Sequence, residues 1–406
     1  MDDQKKRSHL DWVLAAVFGI LGIGGISIGT LHVEINNDVT PVEDRFGWDP
    51  AKVEPVEEQP TFATMANNAV GSGEGAVVKL WEYAKAINGG QHFPTFRQQV
   101  GDCVANGAAN AVNYLQAVQI GRDNPDAEWR SACRQWIYGV SRTAKDLGDG
   151  KLGRGDGSVG SWAAKGCERY GILADDHDGV PAYSGQIARE WGVRPGPPQK
   201  FFAVAKEFCV RSTAVCKTYA DVRDALANGY PVTIASNVGF QMQPVVRDGK
   251  HWGKRAGNWN HQMCLIGIDD TAKSPFDGKT GAAYCLNSWG DSAHGQPADD
   301  APPGGFWIDR TTIERIVGQG DSWAYSNFDG FPLRDLNFNI FGAPPADQAV
   351  AHFAADGPDV KPVSEATVGL SGDAAQTIGG VSAIACSLAL GHAARRRRRE
   401  SKTLAV

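Results

Sequence analysis

One cysteine stands where a helix should begin. Glycine and polar residues lead up to Cys103 in the stretch FRQQVGDCVANGAANAVNYL, residues 96–115, after which apolar residues recur at steps of three and four. This spacing predicts a helix whose first turn holds Cys103. The free N–H groups and the dipole of a helix N-terminus favour an anion, which lowers the pKa of a thiol there. Because the thiolate is the nucleophilic form, we expect Cys103 to be a nucleophile rather than a small buried apolar residue.

Two further side chains could serve such a thiolate. His261 stands just before the apolar run MCLIGI, and Asn287 follows another short apolar run, at the start of NSWG. Both runs predict core strands. An imidazole can hold the thiol proton, and an amide oxygen can accept the other ring N–H and fix the ring. We therefore predict that Cys103, His261 and Asn287 converge, and that His251 and His294, in polar glycine-rich stretches, are loop histidines.

In this order the motifs resemble those of the papain-like cysteine peptidases. The resemblance covers roughly residues 90–332, and NSWG at Asn287 is its most specific part. It implies an α+β, papain-like two-lobe fold with a substrate cleft between the lobes, flanked here by terminal hydrophobic segments. Cys103 would head the helical lobe, and a β-barrel-like antiparallel lobe would carry His261 and Asn287. Weaker likenesses to family motifs lie at residues 157–173, 219–232 and 305–308.

The same resemblance implies a cysteine endopeptidase that hydrolyses peptide bonds through a thioester acyl-enzyme, with a protein or peptide as substrate and no cofactor. The oxyanion hole would be the backbone N–H of Cys103 and an upstream glutamine side chain. Most relatives carry that glutamine six residues before the cysteine, where this chain has Arg97. Gln98 is therefore the predicted donor, with Gln99 as the alternative. Trp289 would cover the bond between the histidine and the asparagine.

Two other functions fit the same motifs. A cell-wall amidase or transpeptidase would use the same Cys–His pair on another acyl acceptor. A non-catalytic, membrane-anchored binding domain could keep the papain-like scaffold, and the displaced glutamine favours it.

The family's usual helical inhibitory propeptide is not recognisable, because residues 34–90 are too short and too acidic. Latency would then come from another source.

The composition sets limits on the class of protein. Of 406 residues, 42% are hydrophobic and 21% charged, which allows a large core and excludes general disorder. The net charge is −6, and the only basic block is residues 395–399, so no nucleic acid is expected as a partner. The eight cysteines form no C-x-x-C pair and no zinc-type cluster. Cys209 and Cys216 could form a small disulfide, or both could be free.

Changes in composition along the chain predict five regions. They are a cytoplasmic N-terminus with a transmembrane anchor (1–33), an acidic, Pro-rich linker (34–61), the peptidase-like domain (62–340), an Ala/Pro/Asp-rich linker (341–373) and a hydrophobic segment with an Arg-rich tail (374–406).

The N-terminal segment determines the expected location. Residues 12–33 carry no charge and are long enough to span a bilayer, with basic residues before them and acidic residues after them. The positive-inside bias then anchors the chain in the membrane with the domain on the extracytoplasmic side. A cleaved signal peptide is the alternative, because small residues lie at 27–29. The uncharged segment 374–394 ahead of the arginines indicates a second span, a clipped sorting signal or a surface helix.

Overall fold

The computed structural model describes residues 40–334 and residue 336. In this part of the chain the α-helices are Phe62–Met65 (α1), Trp81–Ile87 (α2), Cys103–Asp123 (α3), Arg134–Thr143 (α4), Gly160–Arg169 (α5), Gly185–Trp191 (α6), Phe202–Lys206 (α7), Tyr219–Ala227 (α8) and Arg310–Val317 (α9). The strands are Val77–Lys79 (β1), Ser212–Val215 (β2), Val232–Phe240 (β3), Val245–Arg247 (β4), Lys250–Trp252 (β5), Arg255–Lys273 (β6), Thr280–Leu286 (β7), Gly305–Asp309 (β8) and Ser322–Ser326 (β9). Short 3-10 helices lie at Val42–Asp44, Pro50–Lys52, Val56–Glu58 and Gln199–Phe201.

The strands form one sheet in the order β2-β9-β3-β6-β7-β8-β5-β4, with β1 paired to β6. All pairs are antiparallel except β5 with β8. Helices α3 to α7 occupy residues 103–206, whereas all but one of the strands follow residue 211. This segregation is that of an α+β protein, so the predicted class is confirmed. The two-lobe arrangement stays a prediction.

Strand β6 is the centre of the sheet. It pairs with β3, β7 and β1, and the predicted run MCLIGI is fully buried along its middle. A strand covered on both faces is continuously apolar rather than alternating, which is why this run lacks the period of two. The predicted strand after His261 is confirmed, and so is the strand before Asn287.

Helix α3 packs directly on β6. It begins at Cys103 as predicted, and nearly every residue of its first four turns is buried. Its small residues allow the close approach. An ideal Cβ at Gly107 would lie 3.0 Å from Nε2 of Gln262, and that Nε2 donates to the carbonyl of Val104 at 2.9 Å. The first turn of α3 is therefore attached to the strand that carries His261.

The structure bears on the predicted disulfide but not on the predicted terminal segments. Cys209 and Cys216 are both free thiols, so the disulfide alternative is wrong. Among residues 40–334 and 336, no helix is long and apolar enough to cross a membrane. The predicted membrane segments at 12–33 and 374–394 and the whole of the linker 341–373 lie outside the described residues.

The tight packing of α3 predicts opposite effects for two glycine substitutions. A Cβ at Gly121 would lie 2.7 Å from Cδ1 of the buried Tyr83 ring, whereas at Gly166 in α5 its nearest neighbour would be Val140 Cγ1 at 3.5 Å. Gly121→Ala should lower the free energy of unfolding by about 1–3 kcal/mol through overpacking. Gly166→Ala should raise it by up to about 1 kcal/mol, since alanine favours helix. Urea unfolding of both variants tests this, and equal effects would contradict it.

Candidate active site

The thiol of Cys103 lies at the N-terminus of α3 and is completely buried. Backbone N–H groups of Gln262, Gly47 and Val104 favour its thiolate. Burial outweighs them, and with a smaller contribution from the Asp102 carboxylate it raises the pKa of Cys103 to about 12. In this conformation the thiol is protonated at neutral pH.

Asp102 precedes the thiol and neither caps the helix with its side chain nor points to solvent. Its carboxylate accepts hydrogen bonds from the hydroxyl of Tyr183 at 2.8 Å and from Nδ2 of Asn106 at 2.9 Å. Burial raises its pKa to about 7, although the Tyr183 hydroxyl and the Arg134 cation oppose this shift. Burial therefore disfavours the charged form of the carboxyl that directly precedes the thiol.

His261 on β6 and Asn287 at the end of β7 are hydrogen-bonded. Nε2 of His261 lies 2.7 Å from Oδ1 of Asn287, and both side chains are buried. Trp289 is fully buried with its ring centroid 4.8 Å from that of His261, so it excludes water from this bond as expected. Burial lowers the pKa of His261 to about 4, against the favourable bond to Asn287. Since Nε2 is taken by the asparagine, Nδ1 is the nitrogen left for proton transfer.

Gln262 attaches the strand that carries His261 to the helix that begins at Cys103. It directly follows His261, and its side chain donates to the carbonyl of Val104 in the first turn of α3. Its backbone N–H is among the groups that favour the Cys103 thiolate. The structure thus bonds His261 to Asn287 and places their strand against this helix, while the meeting of the thiol and the imidazole stays a prediction.

The predicted oxyanion donor is engaged elsewhere. Gln98 is fully buried, and its Nε2 donates to the carbonyls of Asp44 at 2.6 Å and Val100 at 3.0 Å. Its Oε1 accepts from the hydroxyl of Ser288 at 2.6 Å. The alternative, Gln99, is exposed, and its Oε1 accepts from the backbone of Gly185 on α6. Gln98 is the nearer of the two to Asn287, through Ser288.

A stretch of the predicted linker lies over this site. We call residues 40–49 the covering segment. Thr40 donates its N–H to the carbonyl of Trp289, and the N–H groups of Gly47 and Trp48 both point to the carbonyl of Asn260, at 3.0–3.1 Å. The backbone of Ser158, just before α5, donates to Gly47 and accepts from Asp49, forming a parallel bridge. The covering segment is therefore bound by backbone hydrogen bonds to both sides of the site.

Aromatic side chains anchor the covering segment. The ring of Phe46 contacts His261 and Trp289 edge-on, with centroids 6.2 and 6.1 Å apart. Trp48 is buried, and its indole N–H donates to Oδ2 of Asp321 at 2.8 Å. The buried Asp321 carboxylate also accepts the backbone N–H groups of Gly160 and Ser161 at the start of α5. An anion at a helix N-terminus is favourably placed, so this is a firm anchor.

The covering segment explains why both reactive groups are neutral here. Backbone groups of Gly47 and Arg45 influence the pKa of the thiol and of the imidazole, and the ring of Phe46 between them contacts the imidazole. Water is excluded from both, and desolvation disfavours each charged form. A thiolate–imidazolium pair is therefore disfavoured while the covering segment is in place.

Sequence motifs gave no indication of this covering, although two aromatic residues flanking a glycine, Phe46-Gly47-Trp48, are unusual within an acidic stretch and could have suggested burial.

The burial of His294 was also missed by the sequence analysis. This histidine lies in a turn as predicted, but it is completely buried and bonded to Asn287. The prediction that His251 is a loop histidine is wrong, because it lies on β5, paired with Val246 of β4. Among the described residues, no group of three or more histidine, cysteine or carboxylate side chains is placed to hold a metal ion.

Comparisons with known proteins give only remote structural matches. No protein-family model matches the sequence, and no curated protein matches it significantly. Xylellain, a cysteine protease from Xylella fastidiosa, is 15% identical with a TM-score of 0.47, over 70% of this chain and 97% of that one. Digestive procathepsin L 3 of Tenebrio molitor larval midgut is 15% identical with a TM-score of 0.34, over 72% of this chain and 76% of that one. The ragweed pollen allergen Amb a 11, a cysteine protease in its proform, is 16% identical with a TM-score of 0.40, over 64% and 67%. TM-scores under 0.5 at this identity establish neither family membership nor activity.

The covering segment requires glycine at position 47, since a Cβ there would overlap the carbonyl oxygen of Gly101. Gly47→Ala should therefore displace the segment, because overpacking would destabilise its bound position by about 1–3 kcal/mol. The rate of Cys103 alkylation by iodoacetamide at pH 7 should then rise about five- to hundredfold. Gly155→Ala is the matched control, because its Cβ would meet only Leu152 O at 3.5 Å. Peptide mapping by mass spectrometry gives the rate at Cys103, and equal rates in both variants would show that the segment does not protect the thiol.

Proposed function

We propose that this protein is a cysteine peptidase that uses Cys103, His261 and Asn287 and is held latent by its covering segment. The observation that carries the proposal is the 2.7 Å bond between His261 Nε2 and Asn287 Oδ1, on a strand attached to the helix that begins at Cys103. The order and spacing of the papain-like motifs support the same conclusion.

The chemistry follows from the roles these groups can take. With the cleft open to water, His261 Nδ1 takes the proton of Cys103, and the bond to Asn287 stabilises the resulting imidazolium. The thiolate attacks the carbonyl carbon of an amide, and the imidazolium protonates the leaving amine as the C–N bond breaks. Water, deprotonated by the imidazole, then hydrolyses the thioester and restores the thiol. The backbone N–H of Cys103 and Gln98, once released from Asp44, would bind the oxyanion.

Latency follows from the same contacts. The covering segment occupies the space above the thiol, engages Gln98 through Asp44 and keeps both reactive groups neutral. A substrate must displace these interactions before it reaches Cys103. Removal of the segment, by cleavage or by a partner, would therefore activate the enzyme.

An epoxide probe of the papain-directed class tests the proposal. The full chain carrying Gly47→Ala should be labelled stoichiometrically at Cys103, and the added His261→Ala should slow labelling at least about a hundredfold through loss of the proton acceptor. Cys209→Ala is the control, because Cys209 is a half-exposed thiol outside the site. Labelling of Cys103 no faster than of Cys209 would favour the non-catalytic binding domain. A peptide library against wall-type peptides would then separate a peptidase from an amidase.

We also propose that residues 12–33 anchor the domain on the extracytoplasmic side of a membrane. The uncharged length of this segment and its flanking charges support this. The full chain expressed in bacteria should remain in membranes after alkaline extraction and be digested by protease added to spheroplasts. A variant lacking residues 1–33 should stay soluble in the cytoplasm, and recovery of the full chain in that fraction would contradict the proposal.

A further inference from the structure

His294 has no role in the chemistry above, yet it is one of the most enclosed polar side chains beside the site. It is completely buried in the turn that follows Asn287. Its ring lies against Trp259 and Trp289, with centroids 6.5 and 5.7 Å away, and edge-on to Phe306 at 4.8 Å. A titratable group in such an apolar enclosure is costly unless both ring nitrogens are hydrogen-bonded.

Both nitrogens of His294 do have partners, and the partners determine which one carries the proton. Nδ1 lies 2.9 Å from the carbonyl oxygen of Met242, which can only accept, so Nδ1 is the donor. Nε2 lies 2.9 Å from Nδ2 of Asn287. Burial lowers the pKa of His294 to about 4, and the nearby Arg45 cation lowers it further, so the ring is neutral at pH 7. A neutral ring protonated at Nδ1 presents only an acceptor at Nε2.

An acceptor at this position orients the asparagine amide. The NH₂ of Asn287 must face His294, which turns Oδ1 toward His261 and toward the backbone N–H of Ser288, at 2.7 Å from each. If the amide turned over, its NH₂ would face the N–H of Ser288, and His294 Nε2 would meet a carbonyl oxygen. Without His294, the hydrogen bond from the Ser288 N–H is what remains among the described partners of Asn287 to oppose that rotation.

We propose that His294 is a positioning residue that keeps Asn287 oriented and thereby holds His261 as the tautomer protonated at Nε2. The chain of bonds runs from the Met242 carbonyl through His294 and Asn287 to His261. The charged or titratable groups that act on or respond to His294 among the described residues are Arg45 of the covering segment and His261. This inference concerns the site of the proposed peptidase and rests on that function for its catalytic meaning.

Two substitutions separate hydrogen bonding from packing. His294→Leu fills the enclosure but accepts no hydrogen bond, so Asn287 can rotate. His294→Gln keeps an acceptor oxygen that can reach Nδ2 of Asn287. The tautomer of His261 is measured in the full chain by ¹⁵N–¹H correlation spectra of the imidazole nitrogens, with His261→Ala used to assign the signals.

The expected result is a protonated Nε2 at His261 in the parent chain and in His294→Gln, and a mixture of tautomers in His294→Leu. An unchanged Nε2–H signal in a folded His294→Leu protein overturns the proposal. So does the same mixture in both variants, because an intact acceptor would then have no effect. This measurement does not depend on whether Cys103 reacts.

Labelling kinetics test the catalytic consequence. In the Gly47→Ala background, His294→Leu should reduce kinact of the epoxide probe about ten- to hundredfold, as expected for a buried donor left without its partner, while KI stays unchanged. His294→Gln should recover most of that loss. If the tautomer responds as expected but the parent chain is never labelled, the positioning role stands and the peptidase proposal fails. Equal kinact in both variants and parent would show that the orientation of Asn287 does not limit the reaction.

Discussion

The attachment of helix α3 to strand β6 is the constraint on which the site depends. Gln262 reaches from the strand to the carbonyl of Val104, and Gly107 leaves room for that side chain. Helix and strand are distant in sequence, so this contact between Nε2 of Gln262 and the carbonyl of Val104 fixes how they lie against each other. Buried polar contacts of this kind specify one arrangement, because any slip would leave the amide and carbonyl without partners.

Burial has opposite consequences for the two halves of the site. The bond between His261 and Asn287 gains from exclusion of water, because Trp289 shields it on one side. The thiolate of Cys103 is destabilised, since the same exclusion of water raises its free energy and moves the pKa of the thiol to about 12. In the proposed peptidase the covering segment would therefore act through water access as well as sterically, because burial disfavours the charged forms of the thiol and the imidazole.

Sequence reasoning identified the local elements well and their partners only in part. The helix beginning at Cys103 and the strands beside His261 and Asn287 follow from periodicity and from runs of apolar residues, which are local properties. The engagement of Gln98 by the covering segment does not, because it depends on a carbonyl that lies 54 residues earlier. His294 was assigned to a loop for a sound local reason, a polar and glycine-rich neighbourhood, and nothing local reveals that such a turn is buried.

The sequence by itself determined the α+β class, the helix that presents Cys103 and the three chemical groups that could act together. Tertiary structure alone decided that residues 40–49 cover them, that Asp102 is buried rather than a cap, and that His294 orients Asn287. The physical reason is the range of the interactions. Helix and strand preferences arise within a few residues, whereas desolvation, and with it every pKa in the site, depends on which distant segments exclude water.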